Sequence, residues 1–227
     1  MRSFHHKKTL PTIGLSVLVF SCVASMASAQ VPQDPPTQPV RKERDRWAVK
    51  TATDPMASEI NTKPVKVTVE ELLDMKRPLD MSDGKGDPKY QNARAKGVET
   101  TVYVVEAKII ECRLMPDGDY RVQIQGKSGK TMYIEMPDPA PDVINGQSRF
   151  QNEIAKTRNA AEKKLNPQKE AKQTEIYAKI TGVGFFGWSK NMKGQSQGNG
   201  IQLHPILKLD WLKPPKTADP KPDAVQP

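Results

Sequence analysis

Cysteine and histidine are scarce in this chain, with two and three copies among 227 residues. Residues 1–29 read as a secretory signal: a basic start (Arg2, His5, His6, Lys7, Lys8), an apolar run over 13–23, and Ala27-Ser28-Ala29, the small-x-small pattern that precedes cleavage. Cleavage before Gln30 leaves Cys112 as the lone cysteine and His204 as the lone histidine. A single thiol cannot close an intramolecular disulfide, so in an oxidising compartment the fold rests on its apolar core. Cys112 stands among apolar strand residues, where a free cysteine behaves as a small buried hydrophobe. No Cys-x-x-Cys and no His-Glu-x-x-His is present, which removes the commonest zinc and redox signatures.

Long hydrophobic runs are also lacking. The 13–23 run is too short for a permanent membrane anchor. Its "VFSC" (19–22) admits one alternative, a lipoprotein processing site with the chain anchored through Cys22. The expected location is therefore secreted or periplasmic, with no transmembrane segment in the mature chain. Charge of one sign is not concentrated anywhere either. The formal net charge is +9, but after the signal the excess is only +2 over 30–98, +3 over 99–212 and +1 over 213–227. That is not the basic face which phosphate binding normally demands.

What is present divides the chain. Residues 30–43 form a proline-rich spacer and 213–227 a similar tail, both expected to be disordered. Residues 44–98 make an N-terminal extension with Trp47 and Val49 as an extended strap. In it Thr68 and Glu71 stand in capping-box spacing before a short helix that Pro78 ends, followed by a turn-rich loop. Residues 99–212 carry a strand pattern. The first strand, "TTVYVVEAKIIECRL", shifts its apolar phase after Val104, which predicts a bulge or strong coiling. "YRVQIQ" and "TMYIEM" alternate cleanly and form a hairpin. A helix follows, with Ser148 and Gln151 in capping-box spacing and Phe150, Ile154, Ala161 and Leu165 on one face. "TEIYAKITGVGFFGW" and "GNGIQLHPILKLDWL" are the last two strands. Strand, hairpin, helix and two strands is the order of a mainly β fold, a five-stranded OB-fold-like Greek-key barrel with its helix between strands three and four.

The blocks "VKTATDP", "ETTVYVVEAKI", "GDYRVQIQ", "MYIEMPDP", "ITGVGFF" and "NGIQLHPIL" together resemble an uncharacterised family of secreted bacterial proteins that carries them in this order. The likeness spans roughly residues 47–209, and the Asn-Gly-Ile-x-Leu-His-Pro block is its most specific part. It implies secretion and an OB-like fold, and it names no substrate. Members often have histidine where this chain has Arg121, which weakens any two-histidine metal or catalytic pair.

These readings point to an exported, non-enzymatic binding or interaction module of the cell envelope, with no catalytic residue, metal or cofactor assigned. The candidate ligand surface is Arg121, Gln123, Gln125 and Tyr133 on the hairpin with Trp188 and Lys190 from the loop before the last strand. Aromatic faces stack on bases or sugars, and amides and arginine reach polar edges. Candidate partners are single-stranded nucleic acid, an envelope glycan or another envelope protein. The alternative is a metal-dependent nuclease or other hydrolase of the staphylococcal-nuclease type. It would draw on Asp117, Asp119, Glu135 and Asp138 with Arg113 or Arg121, although a turn accounts for the two aspartates and Glu135 sits on an expected exposed face. Phe185 and Phe186 are expected to close the barrel end, and "GVGFFG" to permit a corner rather than cradle phosphate. His204, before Pro205, is expected to play a structural part through a hydrogen bond beside a bulge.

Overall fold

Alternation of apolar side chains dominates the computed structural model, which describes residues 45–82, 87–140, 147–187 and 199–215. Six strands form one sheet: β1 (Asn61–Lys66), β2 (Thr101–Leu114), β3 (Tyr120–Gln125), β4 (Thr131–Met136), β5 (Lys172–Phe186) and β6 (Ile201–Leu212). Among the described residues three α-helices accompany them, α1 (Trp47–Thr51), α2 (Val69–Leu73) and α3 (Gln151–Leu165), the last lying between β4 and β5 in the chain. Hydrogen bonding runs β2–β3–β4–β6–β5 and returns to β2, so five of the strands close a ring. The β4–β6 pairing is parallel, and the other neighbours in the ring are antiparallel.

The sixth strand corrects the expected count of five. β1 comes from the N-terminal extension and pairs in parallel with the first half of β2, Asn61 with Thr101 and Lys66 with Val104. All six of its residues are exposed, so no alternation betrays it. Pro64 is tolerated because β1 is an edge strand.

The hairpin sequence reads correctly: Tyr120, Val122 and Ile124 face the core with Met132, Ile134 and Met136, in the register Arg121 to Glu135, Gln123 to Tyr133 and Gln125 to Thr131. In β2 the core phase is Tyr103, Val105, Ala107 and Ile109, without a break after Val104. Val102 instead faces a second apolar cluster with Ile60, Phe150, Ile154 and Val183. Burial on both faces mimics a phase shift. The irregularity lies further on, between Ile109 and Glu111.

The extension is not a loose strap. Trp47 and Val49 belong to α1, and Val49 is fully buried. Arg46 donates from Nη1 and Nη2 to the two oxygens of Glu99 at 2.8 Å each, and Arg94 grips Asp54 through Nε and Nη2. The first pair fastens the extension to the residues just before β2; the second braces the extension internally, while Arg94 Nη1 also donates to Glu99 O. The Thr68–Glu71 capping box is formed, but α2 ends at Leu73, before Pro78. At α3 the Ser148 side chain accepts from Phe150 N and does not cap the helix with Gln151. Arg158 of α3 donates to Met136 O and Gly118 O and lies over Tyr120.

Close backbone packing explains the glycines of β5. A Cβ on Gly184 would collide with Val98 O and stand 2.8 Å from Tyr103 Cε2, while one on Gly182 would stand 2.8 Å from Ile206 Cδ1. Across from them β6 is irregular: Lys208 pairs with Thr181, Ile206 with Gly182 and Leu203 with Gly184. The His204–Pro205 peptide bond within this stretch is cis. Ile201, Leu203 and Ile206 reach the main core, whereas Leu207 packs on the second cluster. Among the described residues no helix is long and apolar enough to cross a membrane.

Candidate functional site

Alternation puts Asp119, Arg121, Gln123 and Gln125 on the face of the hairpin opposite the core, with Glu135 and Tyr133 across from them on β4. The parallel neighbour β6 then aligns Gln202 with Tyr133, which brings His204 to the same face. Helix α1 lies over this face, with Lys50 near Glu135, and Phe185 of β5 forms a wall. The outcome is a buried cluster of Asp119, Glu135 and His204, which are 0, 2 and 0 % exposed. Glu135 was expected on an exposed face. Its burial follows from the cover that α1 and β6 provide, which neither hairpin strand encodes.

The distances define the chemistry. His204 Nδ1 lies 3.3 Å from Glu135 Oε2, and Nε2 lies 3.8 Å from Asp119 Oδ2. Neither ring nitrogen meets a partner in hydrogen-bonding alignment. The expected hydrogen bond from His204 is therefore not formed. The ring packs edge-on against Phe185, centroids 5.5 Å apart. Arg121 Nε donates to Glu135 Oε1 at 2.6 Å, and Lys50 Nζ stands 3.9 Å from Oε2.

Burial by itself would raise the Glu135 carboxyl, but His204, Lys50 and Arg121 outweigh it and hold the group well below the usual carboxylate range. Burial pushes His204 the other way from a surface imidazole, downwards, against the opposing pull of Glu135. Asp119 owes its place to the turn: its backbone N–H donates to Asp117 Oδ1, and Gly118 adopts a φ of 89°. Turn chemistry thus accounts for Asp117 and Gly118, while the Asp119 side chain turns inward to accept from Asp138 N.

Of the residues proposed as ligand-binding, Arg121, Gln123 and Gln125 are half-buried on one strip, and the Arg121 guanidinium lies 5.4 Å from the centre of the Tyr133 ring. Tyr133 projects from that face but is 9 % exposed, since Arg121 covers it. Gln125 also lines an open groove of about 450 Å³ with Lys108, Ile110, Gln173, Thr174 and Glu175. Trp188 and Lys190 lie outside the described residues. So does "GQSQG" (194–198), which has the Gly-x-Ser-x-Gly spacing of a hydrolase nucleophile turn. Such a turn leads from a strand into a helix, whereas β6 is the next element here. Phe185 and Phe186 are buried, as expected of residues that close an end of the sheet.

The sequence reading missed the carboxylate companions of His204 because it looked for a second histidine or cysteine. One signal was available: the short "GKSGK" turn sets Arg121 opposite Glu135, which marks an ion pair on that face. Comparison with family models, with curated proteins and with solved structures returned no match.

Proposed function

We propose that this chain is an exported, non-enzymatic binding module of the cell envelope, built on a five-stranded barrel of the OB type with β1 added at its edge. The ring order β2–β3–β4–β6–β5, the parallel β4–β6 pair and a helix between β4 and β5 support the barrel reading. The signal-like residues 1–29 and the likeness to secreted bacterial proteins support export.

The observation that carries the binding reading is the strip on β3 and β4. Arg121 stacks on Tyr133, and Gln123 and Gln125 continue the line toward the groove beside Lys108 and Glu175. Flat and amide-rich surfaces of this kind grip rings by stacking and polar edges by hydrogen bonds. Charge on the strip is compensated, because the Arg121 guanidinium is held by Glu135. That balance favours an uncharged ring ligand, a glycan, over a phosphate backbone. The nuclease alternative is disfavoured by the burial of two of its four acids, since Asp119 and Glu135, at 0 and 2 % exposure, are out of reach of a scissile bond.

Titration of the protein with soluble peptidoglycan fragments and, separately, with single-stranded DNA tests this. The expected result is saturable glycan binding that changes little between 50 and 300 mM salt and is lost in a Gln123→Ala variant of unchanged melting temperature and in Arg121→Lys, which keeps a cation beside Glu135. A phosphate-dominated complex would instead weaken steeply with salt. DNA binding of that kind, or glycan binding indifferent to both substitutions, would overturn the assignment.

A further inference from the structure

The cluster of Asp119, Glu135 and His204 has a feature that hydrogen bonding does not explain. An imidazole has two nitrogens, and each here faces a carboxylate oxygen, at 3.3 Å toward Glu135 and 3.8 Å toward Asp119. Carboxylates only accept, and a neutral imidazole has a single N–H to donate. One N–H can answer one of the two carboxylates. The remaining imidazole lone pair then faces an acceptor, a repulsive arrangement in a buried site unless a positive centre, a second ring proton or a cation, lies between them.

Arg121 and Lys50 both pair with Glu135. Glu135 is thus served, and its Oε2, 3.3 Å from Nδ1 but out of line in this structure, is the acceptor that a small turn of the ring would give Nδ1–H. On the other side, Nε2 and Asp119 Oδ2 are 3.8 Å apart, beyond hydrogen-bonding distance. Two ligands of one first-row divalent ion, each about 2.0–2.2 Å from it, stand about 3.4 Å apart in tetrahedral geometry. The observed gap lies close to that edge length. One ligand atom from each of the three side chains lies within 4.8 Å of the other two.

We propose that His204 Nε2 and Asp119 bind a first-row divalent cation, with Glu135 as the positioning carboxylate that accepts Nδ1–H and fixes the imidazole tautomer. Carboxylate, histidine and metal in line is a recurrent arrangement, and the outer carboxylate orients the ring and raises its basicity. One imidazole with carboxylate oxygen suits zinc or manganese, whereas calcium takes oxygen ligands throughout. The cation would lie beneath α1 and Phe185, with water completing the coordination that these two ligands leave open. It ties the start of β3 to β6 under the Arg121–Tyr133 surface, independently of what that surface binds.

The test uses the full chain with His5→Asn and His6→Asn, so that His204 is the lone histidine. Chelator-treated protein is titrated with Zn²⁺, Mn²⁺ and Ca²⁺ by calorimetry, with melting temperature and the ¹⁵N shifts of the His204 ring followed in parallel. The expected result is one equivalent of Zn²⁺ bound and a melting temperature about 5–10 °C higher at a hundredfold excess over Kd. The Nε2 resonance should move to the metal-bound position while Nδ1 stays protonated. Asp119→Asn and His204→Gln should weaken binding at least a hundredfold, and Glu135→Gln about 10–100-fold. A His204 ring whose nitrogens do not respond to Zn²⁺ or Mn²⁺ overturns the site in the unmodified cluster, whatever the variants do. Zn²⁺ binding unaltered by Asp119→Asn and His204→Gln overturns it equally, and wild-type affinity in Glu135→Gln removes the positioning role.

Discussion

Glu99→Ala is the substitution from which the fastening of the N-terminal extension can be measured. The Glu99 side chain is fully buried and accepts four hydrogen bonds: two at 2.8 Å from the Arg46 guanidinium, one at 2.6 Å from Ala95 N and one at 2.7 Å from Phe186 N. Arg46 is itself buried, and its other acceptors are the carbonyls of Tyr90, Ala93 and Phe186, which do not neutralise it. Removing one partner of a buried ion pair costs about 3–5 kcal/mol, chiefly because the other charge stays desolvated. Two orphaned backbone donors belong to the same network and are not added separately.

Against a typical total stability of about 5–15 kcal/mol, the loss is about a fifth or more. Urea unfolding followed by tryptophan fluorescence should show the midpoint falling with the slope unchanged. Arg46→Met combined with Glu99→Gln removes both charges and leaves an acceptor for one of the two amides. Its loss should therefore be smaller, by about 2 kcal/mol, than the sum of the two single variants. A loss under about 1 kcal/mol for Glu99→Ala, or strict additivity in the double variant, would refute the view that a buried ion pair holds the extension in place.

Two further outcomes follow from local geometry. Gly184→Ala should destabilise by about 1–3 kcal/mol, because the new methyl meets a backbone oxygen that cannot swing away, and thermal melting checks it. Asp87 accepts from the backbone N–H of Ser82, Tyr90 and Lys89, with Ser82 the strongest of these, and its carboxyl is held below the ordinary value. A depressed carboxyl stabilises above the unfolded value of about 3.9 and ceases to do so as the pH falls through the folded value. The stability gap between the protein and Asp87→Asn should accordingly be constant from pH 5 to 7 and close below pH 4 in urea midpoints. A gap that persists unchanged to pH 3 would contradict that role for the carboxylate.

Local pattern made part of this fold legible. The hairpin could be read because its faces alternate without exception, Val122 and Ile124 inward, Gln123 and Gln125 outward. Residues Ile154, Ala161 and Leu165 could be read because a helix repeats every 3.6 positions. β1 could not be read, since a wholly exposed edge strand containing Pro64 has no pattern to show. The phase of β2 was misread for the opposite reason, two faces being buried at once. Arg121, Gln123, Gln125 and Tyr133 do share a strip, as alternation requires, but the burial of Tyr133 beneath Arg121 depends on the side chains that meet across strands.

Strands β2 to β6, helix α3 and their order, together with the turn that bears Asp119, follow from local rules of spacing and backbone preference acting over a few residues. The cluster at His204 does not. Asp119, Glu135 and His204 meet because β4 and β6, whose nearest ends Met136 and Ile201 are 65 positions apart, pair in parallel in one register, and α1 then covers them. Parallel pairing joins segments through a long crossover, and no short-range pattern encodes which residues it aligns. Ring closure and the covering helix turned an isolated histidine before a proline into the centre of a buried ionisable site.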